Sequence, residues 1–231
     1  MWPRDGLEGR RGLSEARRPE LRDVGAAGAA RARIRTLIDR YRGEGRVLDA
    51  GGGDGATLPA ESAIVLDMDL SLLRAAQEDG ALAVAGDLQR LPVRDESVGQ
   101  VLMCHSLEHC ADTTAALREA GRILAPGGHV TIVVPNAASL RQIESLLAGD
   151  VRPAGNRPDG DAQHQHHYTL KLLRQLLVDQ AWLEILEVHG DAVTFPLMRT
   201  LRLRWLGRAL GWVLPRFSDA IIAVCRKRPT A

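Results

Sequence analysis

The sequence predicts an α/β protein with a doubly wound, mostly parallel seven-stranded sheet and helices on both of its faces. Short apolar segments alternate with amphipathic helical segments through residues 46–136. Strands that are apolar on both sides are typical of parallel sheets covered by helices. In addition, the first strand leads directly into a glycine-rich loop, which is where sheets of this kind bind their ligands. The 231 residues suffice for one such domain.

The predicted elements show no internal repeat. Apolar residues at helical spacing predict a first helix at 26–42, which Gly43 and Gly45 end. Strands are predicted at 46–50, 63–67, 81–85, 98–104 and 129–135, with helices at 72–76 and 112–124 between them. The segment Pro126-Gly127-Gly128 is expected to close the second of these helices. A helix at 169–180 and strands at 183–188 and 220–225 complete the pattern.

Composition excludes several classes of function. A net charge of +1 gives no electrostatic reason to expect a nucleic-acid partner. The three cysteines, Cys104, Cys110 and Cys225, cannot build a disulfide framework or a four-thiolate zinc site. The N-terminus lacks the apolar stretch of a secretory signal, and no run approaches the roughly 20 apolar residues that cross a bilayer. We therefore expect a reduced, cytoplasmic enzyme or binding protein.

The most informative motif is the glycine loop, residues 51–55, which follows Val47-Leu-Asp-Ala50. Gly51, Gly53 and Gly55 lie where a tight turn brings backbone N–H groups close to a ligand, and a Cβ would obstruct that approach. Such a loop makes the predicted sheet Rossmann-like. Read as Gly-x-Gly-x-x-Ala, the same residues also fit the dinucleotide-binding pattern of an NAD-dependent oxidoreductase. The loop therefore predicts a nucleotide-type ligand without deciding which one.

Carboxylates follow the next two strands. Asp69 lies at the end of the second strand, where a carboxylate can accept hydrogen bonds from both hydroxyls of a ribose. Asp67 is an equal candidate on spacing alone. Asp87 ends the third strand and could hold an exocyclic amino group such as that of adenine. Each of these residues could instead be an ordinary acid at a strand end or turn.

Taken together, these residues resemble the class I S-adenosylmethionine-dependent methyltransferases. Asp49 and the three alternate glycines are similar to the family's acid-x-Gly-x-Gly-x-Gly motif, and 65–71 is similar to its second motif. In that second motif the aspartate falls two residues before the serine, which selects Asp69 over Asp67. Later blocks of the family pattern are similar to 86–88, 91–98, 107–109, 122–129 and 134–136. The pattern is nearest to small-molecule methyltransferases of the group that includes ubiquinone and menaquinone biosynthetic enzymes, and it departs from the usual Ser-Phe-Asp at 97–99.

The resemblance implies a cofactor, a domain plan and a reaction. The cofactor would be S-adenosyl-L-methionine, with Asp49 near its methionyl amino group, Asp69 on the ribose, and Asp87 and Leu88 at the adenine edge. Residues 1–25 would be a flexible basic arm and 26–231 the methyltransferase domain, with 46–136 its cofactor-binding half and 150–215 its substrate-side or lid elements. The expected reaction is methyl transfer, most simply to an oxygen, on a small hydrophobic or aromatic acceptor. A cofactor-binding protein without turnover and an NAD-dependent oxidoreductase remain the alternatives.

Two histidines are the catalytic candidates. His105 and His109 follow the fourth strand, and ligand crevices of such sheets lie at the carboxyl ends of the strands. An imidazole there can take a proton from a phenol or hydroxyl near neutral pH. His109 is the stronger candidate because it falls in the family's Leu-Glu-His block. The alternative is structural: His109 caps the following helix and His105 packs under the loop.

No metal site is predicted. Residues 105–109 spell the His-x-x-Glu-His of some zinc proteases, but here they leave a strand and lack a third ligand. The histidine loop, His164-Gln-His-His167, is interpreted as a substrate-side loop with His166 or His167 facing the cleft, or equally as an exposed polar loop, since imidazoles of one loop seldom converge on a metal without other ligands. One alternative stays open, because some quinone O-methyltransferases resemble this segment with an acid at the position of His105 and are thought to bind a divalent ion there.

An apolar face rimmed by arginines is predicted at 195–214. It could form a lid over a hydrophobic substrate, a peripheral contact with a membrane surface, or a helix packed on the core. The oligomeric state is not predicted.

Overall fold

A computed structural model describes residues 24–43, 46–147, 164–193 and 204–229. Its seven strands form one sheet in the order β3-β2-β1-β4-β5-β7-β6. In chain order, β1 to β7 are Val47–Ala50, Ala63–Asp67, Leu82–Ala85, Val98–Cys104, Leu124–Pro135, Leu183–Gly190 and Ala220–Lys227. Neighbouring strands are parallel except that β7 runs antiparallel to both β5 and β6. The predicted fold class is confirmed.

Helices cover both faces of the sheet. In chain order, α1 to α6 are Val24–Arg40, Leu70–Glu78, Thr113–Ile123, Leu140–Leu147, Leu170–Val178 and Arg204–Val213, and short 3-10 helices span Leu107–His109 and Pro215–Phe217. Apolar side chains of α3 and α5 share one buried cluster with the sheet, while those of α1 lie in a separate cluster with other residues of the same strands. Within the described part of the chain, no helix is both long and apolar enough to cross a membrane.

Several predicted boundaries differ from the structure by one or two residues, and β5 begins five residues earlier than predicted. The helix α1 begins and ends two residues earlier than expected, and of the predicted arm only Val24 and Gly25 fall among the described residues. The prediction that Pro126-Gly127-Gly128 closes α3 was wrong. The helix ends at Ile123, and the three residues lie inside β5, where the pairing with β4 shifts register between Val98 and Gln100. The extra residues are absorbed as a bulge, which sequence periodicity does not reveal.

Arg122 links α3 to the segment between β3 and β4. Its guanidinium donates to the side chain of Glu119 through two bonds of 2.8 Å, and to the carbonyl oxygens of Leu91 at 2.9 Å and Val93 at 2.8 Å. Charge-assisted bonds of this forked kind are strong and orient their partners. The arginine of this sequence block therefore has a structural role, which is to hold the chain that follows Asp87.

The contact of α3 with Trp182 leads to a stability prediction. A Cβ at Gly121 would lie 2.7–2.8 Å from atoms of the Trp182 ring, whereas a Cβ at Gly28 in α1 would meet nothing within 4 Å. We expect Gly121→Ala to destabilise the protein by about 1–2 kcal/mol, because overpacking outweighs the better helix propensity of alanine. Gly28→Ala should instead stabilise it by about 0.5–1 kcal/mol. Urea unfolding of both variants checks this, and a gain in stability for both would contradict it.

Candidate functional site

The residues singled out from the sequence converge at one edge of the sheet. Because β1, β2, β3 and β4 are parallel neighbours, their carboxyl ends lie side by side. The glycine loop follows β1, Asp69 follows β2, Asp87 follows β3 and His105 follows β4. Four separate stretches of sequence therefore border one crevice, as expected for a doubly wound sheet.

The glycines of the loop differ in the physical reason for which a side chain is excluded. Gly51, Gly53 and Gly55 all have positive φ angles, of 76°, 56° and 75°, which is the region that favours glycine. A Cβ at Gly51 would lie 2.3 Å from Ser106 Cβ, and one at Gly55 would lie 3.1 Å from Val65 Cγ2. A Cβ at Gly53, by contrast, would meet only the end of the Leu72 side chain, at 3.6 Å. Packing explains Gly51 and Gly55, whereas the space beside Gly53 is open.

Asp67 holds the loop in place. Its Oδ2 accepts a hydrogen bond of 2.9 Å from the backbone N–H of Gly53, and its Oδ1 accepts one of 2.9 Å from that of Asp69. The backbone N–H groups of Gly51 and Gly52 bond to the carbonyl oxygen of Leu66, at 2.7 and 3.1 Å. Both carboxylate oxygens of Asp67 are thus used within the protein. This assigns Asp67 a structural role.

Asp69 is exposed and caps α2. Its Oδ1 accepts hydrogen bonds from the backbone N–H of Ser71 at 2.8 Å, the Ser71 hydroxyl at 2.6 Å and the backbone N–H of Leu72 at 3.4 Å. These bonds, those of Ser71 above all, lower the pKa of Asp69, so the group is ionised at neutral pH. None of the three bonds uses Oδ2. A fixed, ionised acceptor at the mouth of the crevice is suited to a ligand hydroxyl.

Asp49 is the unusual group of the site. It lies at 0% exposure in β1, and neither of its side-chain oxygens has a hydrogen-bond partner. Burial, then the charges of Asp67 and Asp54, raise the pKa of Asp49 to about 7. The loop packs against it so closely that a Cβ at Gly52 would lie 2.7 Å from Asp49 Cγ. An orphaned buried carboxylate is costly, and a cationic ligand group would remove that cost.

Asp87 and Leu88 complete the side of the crevice beyond β3. Asp87 Oδ1 accepts hydrogen bonds from the backbone N–H of Gln89 at 2.9 Å and from its side-chain amide at 3.2 Å. Leu88 is buried, and its Cδ1 lies 3.7 Å from the Cβ position of Gly51. The pair therefore places a carboxylate and an apolar side chain next to the glycine loop. The sequence contained no indication that Gln89 would bond to the carboxylate.

The two candidate histidines have distinct environments. His105 has a φ of +55° and its side chain is half exposed, with Nδ1 3.4 Å from Oε1 of the buried Glu108. His109 lies in the 3-10 helix that follows β4, and its Nδ1 is buried without a hydrogen-bond partner. The cap of α3 is Asp112, whose carboxylate accepts from Ala115 N–H at 2.9 Å. The structural alternative for His109 as a helix cap therefore fails.

The histidine loop docks on the same 3-10 helix. The backbone N–H groups of Gln165 and His166 both donate to the carbonyl oxygen of Glu108, at 2.9 and 3.2 Å. The ring of His164 consequently lies edge-on to that of His109, with centroids 4.8 Å apart. His167 is exposed. The sequence pointed to His166 or His167 as the cleft-facing residue, whereas the structure brings His164 next to a site histidine.

Residues near the carboxyl end of β6 were not singled out from the sequence. Asp191 is partly buried, and desolvation of its carboxyl raises its pKa, whereas the charges of His105 and Arg33 act in the opposite direction. Arg33 of α1 donates to the carbonyl oxygen of Gly190 at 2.8 Å and also to that of Asp191. The helix α1 is thereby tied to the ligand edge.

The described part of the arginine-rich segment packs on the protein. Residues 194–203 lie outside the described residues, but α6 contacts the chain after β6, with Val193 N–H donating to Gly207 O at 2.8 Å. The Trp212 ring stacks on His189 with centroids 3.5 Å apart, while the side chains of Val213 and Leu214 are exposed. The core-helix alternative thus holds for α6, and a role as lid or membrane contact stays a prediction.

A family model described as a methyltransferase domain matches residues 48–132. The match begins in β1 and ends in β5, so it contains the glycine loop, Asp69, Asp87 and residues 105–109. It does not reach the histidine loop.

Two relatives match parts of this stretch. A demethylmenaquinone methyltransferase of Corynebacterium kroppenstedtii is 35% identical over 107 residues, which cover 44% of this chain and 46% of that protein. A malonyl-[acyl-carrier protein] O-methyltransferase of Alcanivorax borkumensis is 34% identical over 85 residues, which cover 35% of this chain and 29% of that protein. The chain therefore spans less than half the length of these relatives.

Two solved structures share the fold over most of both chains. An S-adenosylmethionine-dependent methyltransferase from Thermotoga maritima superposes with a TM-score of 0.66 at 18% identity, covering 88% of this chain and 90% of that one. Another from Mesorhizobium loti gives a TM-score of 0.60 at 18% identity, covering 88% and 100%. At such identities the likeness shows the fold alone.

Proposed function

Because residues 48–132 carry a methyltransferase domain and the described chain has the fold of S-adenosylmethionine-dependent methyltransferases, we propose that this protein binds S-adenosylmethionine and methylates a small acceptor. The observation that carries the proposal is Asp49, a fully buried carboxylate without a partner directly under the glycine loop. The amino group of a methionyl moiety is the cation that would satisfy it.

The remaining groups of the crevice fit the other parts of that cofactor. Asp69 would accept from the ribose hydroxyls, and Asp87 from the adenine amino group beside the apolar Leu88. Met68 and Leu70, which flank Asp69, are 69% and 58% exposed. A cluster of large, exposed apolar side chains often marks the place where a ligand or a partner binds. A purine lying against them would bury this surface.

The bound sulfonium supplies an already activated methyl group, so the protein contributes mainly by alignment. His105 and His109 stand at the end of β4, where an acceptor would approach. Either could take the proton of a phenol or hydroxyl, which supports oxygen as the atom methylated and a hydrophobic or aromatic acceptor. One relative is named a malonyl-[acyl-carrier protein] O-methyltransferase and the other a demethylmenaquinone methyltransferase. The first name supports oxygen as the atom methylated, and the second supports an aromatic acceptor.

We expect Asp69→Ala to weaken binding of S-adenosylmethionine at least about tenfold, because a charge-assisted hydrogen bond is lost. The same change removes the cap of α2 and should cost about 1 kcal/mol of stability. Asp69→Ser separates the two effects, since serine is also a good cap but is too short to replace the carboxylate. Calorimetry and thermal unfolding measure both quantities.

Asp79→Ala is the matched control, because Asp79 is an exposed acid at the other end of α2 whose capping bonds come from its backbone N–H. If both Asp69 variants bind S-adenosylmethionine as tightly as the wild-type protein does, Asp69 does not bind the ribose. Incubation of the wild-type protein with labelled S-adenosylmethionine and a panel of phenols and quinols then tests turnover. Binding without transfer to any acceptor would favour the non-catalytic alternative.

A further inference from the structure

We propose that Glu108, His109 and His164 form a binding site for a divalent transition-metal ion. One potential ligand atom from each residue lies within 4.8 Å of the others. Two ligands of one ion at about 2.1 Å can be at most about 4.2 Å apart, so a small side-chain movement closes the site. The sequence analysis predicted no metal site and left open only a divalent ion at residues 105–109, because nothing in the sequence brings the histidine loop to that segment.

The state of the three side chains supports a cation. Glu108 is 1% exposed, and both of its carboxylate oxygens lack a hydrogen-bond partner, as does the buried Nδ1 of His109. Leaving a carboxylate and an imidazole nitrogen of consecutive residues buried without partners is unfavourable. Coordination to one ion would satisfy both groups. His105 is a weaker partner for Glu108, since its half-exposed ring lies 3.4 Å away and is cationic only when protonated.

The scaffold holds the third ligand firmly. Glu108 and His109 are consecutive residues of the 3-10 helix after β4, and His164 lies 55 positions after His109 in the sequence. The histidine loop is fixed by two backbone hydrogen bonds to the carbonyl oxygen of Glu108. At its other end, Tyr168 O accepts from Ala137 N–H at 2.8 Å, next to the end of β5. The residue that supplies the carboxylate therefore also anchors the loop that supplies an imidazole.

The ligand set indicates the kind of ion. Two imidazoles and one carboxylate suit zinc, manganese or iron better than magnesium or calcium, which prefer oxygen ligands. Three protein ligands leave at least one coordination position open, as in catalytic zinc sites. The site borders the carboxyl end of β4, so an oxygen of the acceptor could take that position. This last step rests on the proposed methyl transfer, whereas the metal site itself does not.

Zinc calorimetry on the full chain without a polyhistidine tag tests the site. We expect one ion per chain, and we expect His164→Ala to weaken zinc binding at least about tenfold. His167→Ala is the matched control, because His167 is an exposed imidazole of the same loop outside the three-residue cluster. Cobalt absorption spectra report coordination by nitrogen independently of activity, and the characteristic bands should be absent in the His164 variant.

No stoichiometric zinc binding by the wild-type chain, or equal losses in the His164 and His167 variants, would overturn the proposal. Glu108→Gln removes the carboxylate ligand and should also weaken zinc binding; if that variant fails to fold, the His164 variant still decides the matter. Binding of S-adenosylmethionine to that variant is measured in parallel. Retained cofactor binding with lost zinc binding supports the metal site and leaves the proposed function intact, whereas loss of cofactor binding in the wild-type chain would affect the proposed function alone.

Discussion

We expect Asp49→Asn to stabilise the cofactor-free protein at pH 8 and to weaken its binding of S-adenosylmethionine on the order of 100-fold. Burial raises the pKa of Asp49 from 3.8 to about 7, so at pH 8 the folded protein holds an ionised carboxylate without a partner. A shift of that size corresponds to at most about 4 kcal/mol. Asparagine removes the charge and so recovers part of this free energy, but it offers no charge to a methionyl ammonium.

The pH dependence follows from the raised pKa. Below about pH 4, Asp49 is protonated in both the folded and the unfolded chain, and its contribution to stability is fully present. Between about pH 4 and pH 7 the unfolded chain has given up this proton while the folded chain still holds it, so the contribution falls as the pH rises and is lost above about 7. The free energy of unfolding of the wild-type protein should therefore fall from pH 5 to pH 8 more steeply than that of Asp49→Asn.

Binding should follow the opposite trend, since only the ionised carboxylate attracts the ammonium. The affinity of the wild-type protein should rise between pH 5.5 and 7 (about the pKa of Asp49), and that of Asp49→Asn should not. Asp79→Asn is the control, because Asp79 is an exposed acid at the end of α2 and its charge is not among those that raise the pKa of Asp49. A variant at Asp49 that is less stable than wild type at pH 8 would show that the carboxylate has a partner.

Gly51→Ala should destabilise the fold by about 2–5 kcal/mol. The φ of +76° costs a residue with a Cβ about 1–2 kcal/mol. The new Cβ would lie 2.3 Å from Ser106 Cβ, which adds about 1–3 kcal/mol of overpacking in a region where Ser106 Oγ donates to Ala50 O at 2.9 Å. Unfolding in urea measures the loss.

Gly53→Ala separates strain from packing. Gly53 also has a positive φ, of 56°, but its Cβ would meet only Leu72 Cδ1 at 3.6 Å. This variant should therefore lose only about 1–2 kcal/mol of stability, yet bind the cofactor poorly because the added methyl group enters the open side of the loop. Adding Ser106→Gly to Gly51→Ala should restore part of its stability. Equal losses for the two alanine variants would rule out the contact with Ser106 as a cost.

Most of the architecture could be predicted from contiguous residues. The bounds of β2 and β4 agree with the prediction, because apolar runs and glycines encode strands and turns locally. The strand β7 is longer than predicted by two residues at one end. The motifs also carried the resemblance to methyltransferases, which the domain match over 48–132 confirms. The early start of β5 could not be predicted, since Pro126-Gly127-Gly128 lies in a strand segment whose register depends on pairing with β4.

The sequence by itself thus determined the layered sheet, the glycine loop and the row of acids at the strand ends. Only the tertiary structure decided the role of each of these residues. Asp67 accepts a hydrogen bond from the glycine loop, Asp69 caps α2, and Asp49 is buried without a partner. It also brought His164 to Glu108 and His109. The reason is physical: local patterns specify backbone conformation, whereas burial and the meeting of distant side chains depend on how the elements pack.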